Sequence, residues 1–152
     1  MIRRAVPGDR NRCIELLRDS RVGAGFDQPG GFTFPFDAAY AARLFAHHIN
    51  AADAACFIHD AAGVAQGVLM AVAFDHPFGP VRIAKETLWW IDPAHRGSAA
   101  PRMLDAYEAW SHAQGCAFSG MAGMGDDPAV AKLYARRGYR AAEIHYLKPV
   151  AA

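Results

Sequence analysis

The chain of 152 residues has no long apolar run, few cysteines and no cluster of like charges. No stretch is long and apolar enough to span a bilayer, so we expect no membrane association. The three cysteines are widely separated, which fits neither a disulfide framework nor a zinc site. The formal net charge is +1, and Lys and Arg are spread along the chain, so charge does not favour a nucleic-acid partner.

Metal and dinucleotide signatures are also missing. The seven histidines show no convincing ligand spacing, and the glycines do not form the G-x-G-x-x-G pattern. The first ten residues lack the apolar core of a secretion signal, which predicts a cytoplasmic protein. Hydrophobic residues make up 53% of the chain, and its length suits a single globular domain over residues 1–152.

Hydrophobic periodicity and turn residues predict an α+β protein. The order of elements lacks the regular alternation of a doubly wound sheet. It favours three layers, with helices on both faces of a mixed, mostly antiparallel sheet. The predicted elements are a strand at 2–6, helices at 9–19 and 37–49, strands at 55–59, 64–74 and 81–91, a helix at 101–114, a strand at 116–121, a helix at 128–137, and one or two closing strands within 139–148.

Residues 21–36 form a loop rich in glycine, proline and phenylalanine. Loops of this length are usually functional or disordered, and four phenylalanines argue against disorder. Two interpretations stay open: the loop is a lid or wall of a pocket, or its aromatic rings plug the edge of the core.

A strand that runs into a tight turn and then a helix occupies residues 88–104, L-W-W-I-D-P-A-H-R-G-S-A-A-P-R-M-L. The first turn of a helix presents backbone N–H groups without partners and the positive end of the helix dipole, which together favour an anion. Arg96 and Arg102 bracket the turn and can add charge-assisted contacts to phosphate. The junction therefore predicts a phosphate site.

Two segments resemble motifs of the GNAT superfamily of acetyl-CoA-dependent N-acetyltransferases, and the resemblance extends from Ile2 to Lys148. The segment I-D-P-A-H-R-G-S-A-A-P-R-M-L is similar to the family's acetyl-CoA signature around R-G-x-G-x-G. The segment D-D-P-A-V-A-K-L-Y-A-R-R-G-Y is similar to N-x-x-A-x-x-L-Y-x-x-x-G-F. The resemblance implies acetyl-CoA as cosubstrate, no metal, and direct attack by a primary amine without a covalent enzyme intermediate. Small members of the family are often homodimers, so a homodimer is expected.

The resemblance also assigns residues. It implies that Tyr134 is the general acid that protonates the leaving thiolate. It implies that Glu86 is the general base, and Asp126 and His145 are weaker alternatives for that role. It places the pantetheine arm of the coenzyme between the strand before the signature and the next strand, along residues 116–121. The implied coenzyme-binding residues are Trp89, Trp90, Ile91, Arg96, Gly97, Ser98, Ala99, Ala100, Arg102 and Asp127.

The phosphate loop departs from the family pattern, since Ala99 and Pro101 replace its two later glycines. Ala99 keeps its backbone N–H and can donate if its φ is negative, whereas Pro101 has no N–H. One hydrogen bond to the pyrophosphate is therefore expected to be missing. The loss favours an alternative function, an acyl-CoA-binding or interaction module with weak or no turnover. Group transfer on a nucleic acid is a third and minor alternative.

The acceptor is an amine of a small molecule or of a peptide or protein. Trp89 and Trp90 point to opposite faces of their strand, so one is expected in the core and the other beside a cleft. With the loop at 21–36 and the turn at 74–78, they predict a pocket with aromatic walls. Such a pocket suits a small amine with an apolar body, a peptide N-terminus or a lysine side chain.

Overall fold

Five strands form one sheet in the computed structural model, which describes residues 1–123 and 128–150. The strands are β1 (Ile2–Arg4), β2 (Ala54–Ala61), β3 (Val64–Asp75), β4 (Arg82–Ile91) and β5 (Phe118–Gly120), and they lie side by side in chain order. The first four pair in antiparallel fashion, and β5 pairs with β4 in parallel. The predicted mixed, mostly antiparallel sheet is confirmed.

Helices cover both faces of this sheet: α1 (Arg10–Gly23) and α2 (Ala38–Asn50) on one, α3 (Ala99–Ala113) and α4 (Pro128–Arg136) on the other. Leu16 and Phe45 belong to the first core, and Leu104 and Tyr107 to the second. Helices α1, α2 and α3 each bury one apolar stripe against the sheet, and α4 packs its partly buried Leu133 and Tyr134 against the second core, which gives the expected three layers. Among the described residues, no helix has the length and apolarity needed to cross a membrane.

A β-bulge at Thr87 interrupts the pairing of β3 with β4. Met70 lies opposite Leu88 and Ala71 lies opposite Glu86, so Thr87 is the extra residue. An extra residue shifts the alternation of side chains by one position. Ala84 therefore packs in the core under α3, whereas Leu88, four residues later, packs toward α1 and α2. The bulge changes which face receives the side chains at the end of β4.

The predicted closing strands within 139–148 are wrong, because residues 139–150 contain no strand. The alternation of large apolar residues there, Ile144 and Tyr146 among them, is typical of a strand, but both side chains are exposed. A strand needs a neighbour with free backbone groups, and β5 offers only three residues. The segment contacts the sheet instead through an ion pair between Glu143 and Lys85, at 3.6 Å.

Two helix boundaries also differ from the predictions. Helix α1 continues to Gly23, four residues beyond the predicted end, and α3 begins at Ala99, two residues before the predicted start. The early start of α3 makes Ala99 the first helical residue and buries its methyl group, which is 1% exposed. The fold thus uses Ala99 for packing at the position where the family signature has glycine.

Candidate active site

A cavity of about 360 Å³ opens between the end of β4, the C-terminal end of α1, the start of α2 and helix α4. Its volume lies at the lower end of the range of small-molecule sites, about 300–1,000 Å³. The loop between α1 and α2 contributes Phe26, Phe34 and Phe36, which confirms that this loop forms a pocket wall. Phe26 and Phe34 contact each other edge to face, with ring centroids 5.1 Å apart.

Glu86 is a buried carboxyl group at one side of this pocket, with 7% of its surface exposed. Its Oε2 accepts a hydrogen bond from the backbone N–H of Ala122 at 3.0 Å. Burial raises the pKa of Glu86 to about 7, and the Ala122 N–H and the Lys85 ammonium oppose that rise. A group with this pKa exchanges protons readily near neutral pH, as a general base requires.

Tyr134 reaches the same pocket from α4, and its hydroxyl donates to the carbonyl oxygen of Ala122 at 2.9 Å. Ala122 therefore binds Glu86 through its N–H and Tyr134 through its C=O, which brings two ionisable side chains to the backbone of one residue. Burial first, and then the nearby Glu86 and Tyr139, raise the pKa of Tyr134 above that of a free phenol. The phenol therefore keeps its proton at neutral pH.

The two tryptophans of β4 point to opposite faces, as predicted. Trp89 stacks against Tyr134, with ring centroids 6.2 Å apart, and Trp90 packs toward α1. A Cβ atom at Gly23 would lie 2.1 Å from the Trp90 ring, so only glycine allows this approach. Both tryptophans pack against a core and both line the pocket, so the expected division into one core ring and one cleft ring is not observed.

A gap separates β4 from β5 beyond their short contact. Their pairing covers Ile83–Lys85 and Phe118–Gly120, and within the described residues no strand continues it beside residues 87–91. Backbone groups at a strand end without a neighbour are free to pair with an extended ligand. This gap in the pairing lies where the family resemblance predicts the pantetheine arm, and the Ile91 carbonyl at its end accepts from the Arg96 Nε–H at 3.1 Å.

The predicted phosphate loop follows this gap. Gly97 has a φ of +73°, which suits glycine, and Ser98 precedes the first turn of α3. Ala99 is helical with a negative φ, so it keeps a donor N–H, whereas Pro101, the third helical residue, has none. The Ala100 N–H donates to the Gly97 carbonyl at 3.3 Å.

Both arginines at the predicted phosphate site, Arg96 in the loop and Arg102 in the first turns of α3, contact the protein itself. Arg102 donates to the carbonyl and hydroxyl oxygens of Ser98 at 3.0 and 3.2 Å. Arg96 lies 4.9 Å from the centre of the Trp90 ring. Both side chains belong to exposed residues, so a phosphate can still exchange with these contacts.

Other candidates from the sequence lie elsewhere. Asp126 and Asp127 fall outside the described residues. His145 is on the exposed C-terminal segment, where it bonds Glu143 at 3.1 Å, so its role as an alternative base is not supported. The turn at 74–78 joins β3 to the far end of β4, and Phe78 is 97% exposed. The prediction that this turn forms a pocket wall is wrong.

Sequence reasoning did not identify three residues beside the pocket as candidates for the site: His48, Thr87 and Ala122. His48 gave a signal, since it shares the apolar face of α2 with Leu44 and Phe45. Thr87 and Ala122 gave no such signal. Thr87 is a bulge residue and Ala122 acts through its backbone atoms, and neither property produces a recognisable residue pattern. In the part of the chain that the structure describes, no cluster of metal-ligating side chains occurs.

No protein-family model and no curated protein sequence matches the chain. Solved structures match it over nearly its whole length at low identity. A transcriptional regulator from Bacillus halodurans C-125 is 15% identical with a TM-score of 0.78, and the alignment covers 98% of each chain. A ribosomal-protein-alanine N-acetyltransferase from Brucella melitensis biovar Abortus 2308 is 17% identical with a TM-score of 0.71, covering 98% of this chain and 99% of that one.

A third structure, AAC(6')-Iy in complex with the bisubstrate analog CoA-S-monomethyl-acetylneamine, is 16% identical with a TM-score of 0.76. The alignment covers all of this chain and 98% of that one. Similarity at this identity establishes the fold and leaves the chemistry to the residues of the site. The chain has the acyl-CoA N-acyltransferase fold that its resemblance to the GNAT superfamily implied.

Proposed function

We propose that the protein is an N-acetyltransferase that moves an acetyl group from acetyl-CoA to a primary amine by direct attack. The observation that carries this proposal is that Glu86 and Tyr134 both bond the backbone of Ala122, one at its N–H and the other at its C=O, inside a pocket at the end of β4. In the proposed reaction Glu86 accepts a proton and Tyr134 donates one, and acetyl transfer to an amine requires both of these roles.

The coenzyme supplies the thioester, and the chain has features that fit it. Residues 87–91 offer a pantetheine arm the strand edge that faces away from β3, and the left-handed turn at Gly97 leads into the N-terminus of α3. In this proposal Trp89, Trp90 and Ile91 border the arm, and the loop from Arg96 to Ala100, with Arg102, receives the pyrophosphate. AAC(6')-Iy, a structural neighbour, was solved with a coenzyme A analogue, which supports the fit.

In the proposed reaction Glu86 takes one proton from the acceptor ammonium and later releases it to solvent. The neutral amine forms the new C–N bond as the C–S bond breaks. Tyr134 gives its Oη proton to the leaving sulfur while it receives the second proton lost by nitrogen, so the phenol stays neutral. The product amide keeps one N–H, and the protons balance.

The alternative is a module that binds acyl-CoA with weak or no turnover. Pro101 supports it, because the first turn of α3 has one N–H fewer for phosphate than the family pattern provides. Two measurements separate the possibilities. Acetyl-CoA should raise the melting temperature, and thiol release should accompany incubation with a panel of amines.

The two measurements have three informative outcomes. A shift with thiol release supports the enzyme, and a shift without release from any amine supports the module. Absence of a shift at about 1 mM acetyl-CoA overturns both, because ligand stabilisation grows with the ratio of concentration to Kd.

A further inference from the structure

The walls of the pocket are largely apolar and aromatic, and charge is scarce among them. Of the described residues that line it, three carry ionisable groups of fixed sign: Arg21, Asp37 and Glu86. Even with Glu86 ionised, their formal charges add to −1. One ammonium group compensates that charge, and every further cation on the acceptor would be placed in the pocket without a partner.

Two of these charges are already engaged within the protein. The Asp37 carboxylate caps α2 by accepting the Tyr40 N–H at 2.8 Å, and the Arg21 guanidinium donates to the Phe34 carbonyl. Glu86 is therefore the carboxylate in the best position to receive an incoming ammonium. The Arg21 charge opposes a second cation beside the aromatic wall.

The remaining surface suits an apolar body. Phe26 and Phe34 meet edge to face, and further aromatic rings come from both flanking elements. A planar ring gains burial and favourable edge contacts against such walls. The aromatic residues that line the pocket are Phe26, Phe34, Phe36, Tyr40, Trp89, Trp90 and Tyr134.

We infer that the acceptor is a small monoamine with an apolar or aromatic body, in preference to a polyamine or an amino sugar. This inference rests on the proposed acetyl transfer. The volume of about 360 Å³ admits such a molecule whole, whereas a peptide amine would leave its chain outside the aromatic walls.

The test compares kcat/KM for 2-phenylethylamine, 1,4-diaminobutane, an aminoglycoside and a lysine-containing peptide. We expect 2-phenylethylamine to exceed the others at least about tenfold, the size of one well-buried apolar contact. Phe34→Ala should remove most of that preference, and Phe78→Ala, which changes an aromatic outside the pocket, should retain it.

Thiol release that is fastest with the diamine, the aminoglycoside or the peptide would overturn the inference and leave the proposed function intact. Absence of thiol release with every amine would instead reject the enzyme itself. An unchanged preference in Phe34→Ala would show that the aromatic loop does not select the acceptor, which also overturns the inference.

A separate observation concerns His48, a buried residue of α2 with 2% of its surface exposed. Its Nδ1 lies 2.8 Å from the Leu44 carbonyl and its Nε2 lies 3.2 Å from the Thr87 hydroxyl. A carbonyl only accepts, so Nδ1 carries the proton of the neutral ring, and Nε2 must accept from Thr87. Burial lowers the pKa of His48, which favours this neutral form.

Thr87 lines the pocket and directly follows Glu86 in the bulge of β4. Because its proton is held by His48, its free lone pairs are directed to other donors. We propose that Thr87 accepts a hydrogen bond from the acceptor ammonium and that His48 is a positioning residue acting through Thr87. The amine nitrogen is then held by two neighbouring acceptors, Glu86 and Thr87.

Thr87→Val should raise the acceptor KM about tenfold, the loss of one hydrogen bond to a charged group, with the acetyl-CoA KM unchanged. Thr87→Ser restores the hydroxyl and should recover most of the wild-type KM. If His48 acts through Thr87, adding His48→Gln to Thr87→Val should change the acceptor KM no further.

Equal acceptor KM values for wild type and Thr87→Val would overturn the proposal. So would a Thr87→Ser variant as weak as Thr87→Val, because the loss would then come from the missing methyl group. A further rise of KM in the double variant would reject the positioning role of His48.

Discussion

The two ends of the cleft beside β4 differ in how far their polar groups are held in place. At the pocket end, Glu86 is buried and accepts from the Ala122 N–H, and Tyr134 donates to the carbonyl oxygen of the same residue. At the phosphate end, Arg96 and Arg102 belong to exposed residues and bond the protein's own backbone. Under the proposed function, the groups that transfer protons are already held in place, whereas phosphate binding requires the arginines to exchange their present contacts.

This difference predicts which substitutions change turnover and which change coenzyme binding. A buried carboxyl group has a shifted pKa because water cannot solvate its charge, so one substitution should change the rate greatly. An exposed arginine on a loop gains little from any single contact, so changes there should alter affinity in small steps. We therefore expect large effects on turnover from the pocket and modest effects on coenzyme binding from the loop.

The largest effect should come from Glu86→Gln, which removes the base and keeps an oxygen for the Ala122 N–H. We expect kcat to fall about 100-fold, a usual contribution of a general base. In the wild type, kcat/KM should rise with pH around 7, because the carboxylate is the active form. The matched control is Glu15→Gln at the exposed ion pair with Arg12. A pH rise that persists in Glu86→Gln would identify another base.

Unfolding measurements give an independent control for the same variant. The folded pKa of Glu86 lies above the ordinary 4.5, so the folded state binds the extra proton and stability falls between about pH 4.5 and 7. At about 1.4 kcal/mol per pKa unit, Glu86→Gln should be about 3 kcal/mol more stable than wild type at pH 8 and nearly equal at pH 4. Equal stability at both pH values would contradict the raised pKa.

Tyr134→Phe tests the other group at the Ala122 peptide. We expect kcat to fall about 30-fold, within the range for loss of a proton-transfer group, while the acetyl-CoA Kd stays constant. Rapid-quench rates and calorimetric titration measure the two quantities. Tyr139→Phe is the control, since its hydroxyl bonds Glu108 at 3.1 Å. Equal losses of kcat and affinity would mark Tyr134 as structural.

Gly23→Ala should disturb the wall where α1 meets Trp90. The new methyl group would overlap the ring, and overpacking of this kind costs about 1–3 kcal/mol. We expect a lower melting temperature together with a changed Trp fluorescence. Gly8→Ala is the control, because a Cβ there meets no atom within 4 Å. Identical behaviour of the two variants would show that the close approach to Trp90 is unimportant.

The smallest effect is expected at the phosphate end. Pro101→Ala adds one N–H to the first turn of α3, and coenzyme A should bind up to about tenfold more tightly if that donor reaches the pyrophosphate. Pro7→Ala, at the start of another helical turn, provides the matched control. Calorimetric Kd values that do not differ from wild type would place the pyrophosphate away from Pro101.

Local pattern determined most of the architecture. Periodicity and turn residues placed four helices and five strands within a few residues of their positions, because most of these elements bury a stripe that their own sequence defines. The strand, turn and helix around Gly97 were also predictable, since a left-handed turn and a helix start have residue preferences of their own.

The active-site contacts required the tertiary structure. The bulge at Thr87, the meeting of Glu86 and Tyr134 at Ala122, and the contact of His48 with Thr87 each join residues distant in sequence or backbone atoms without a signature. The prediction of closing strands was wrong for a related reason, because a segment with a strand pattern also needs a partner edge, which β5 does not supply. Sequence alone thus determined most of the elements, and packing between them decided whether the closing strands form and which side chains share the pocket.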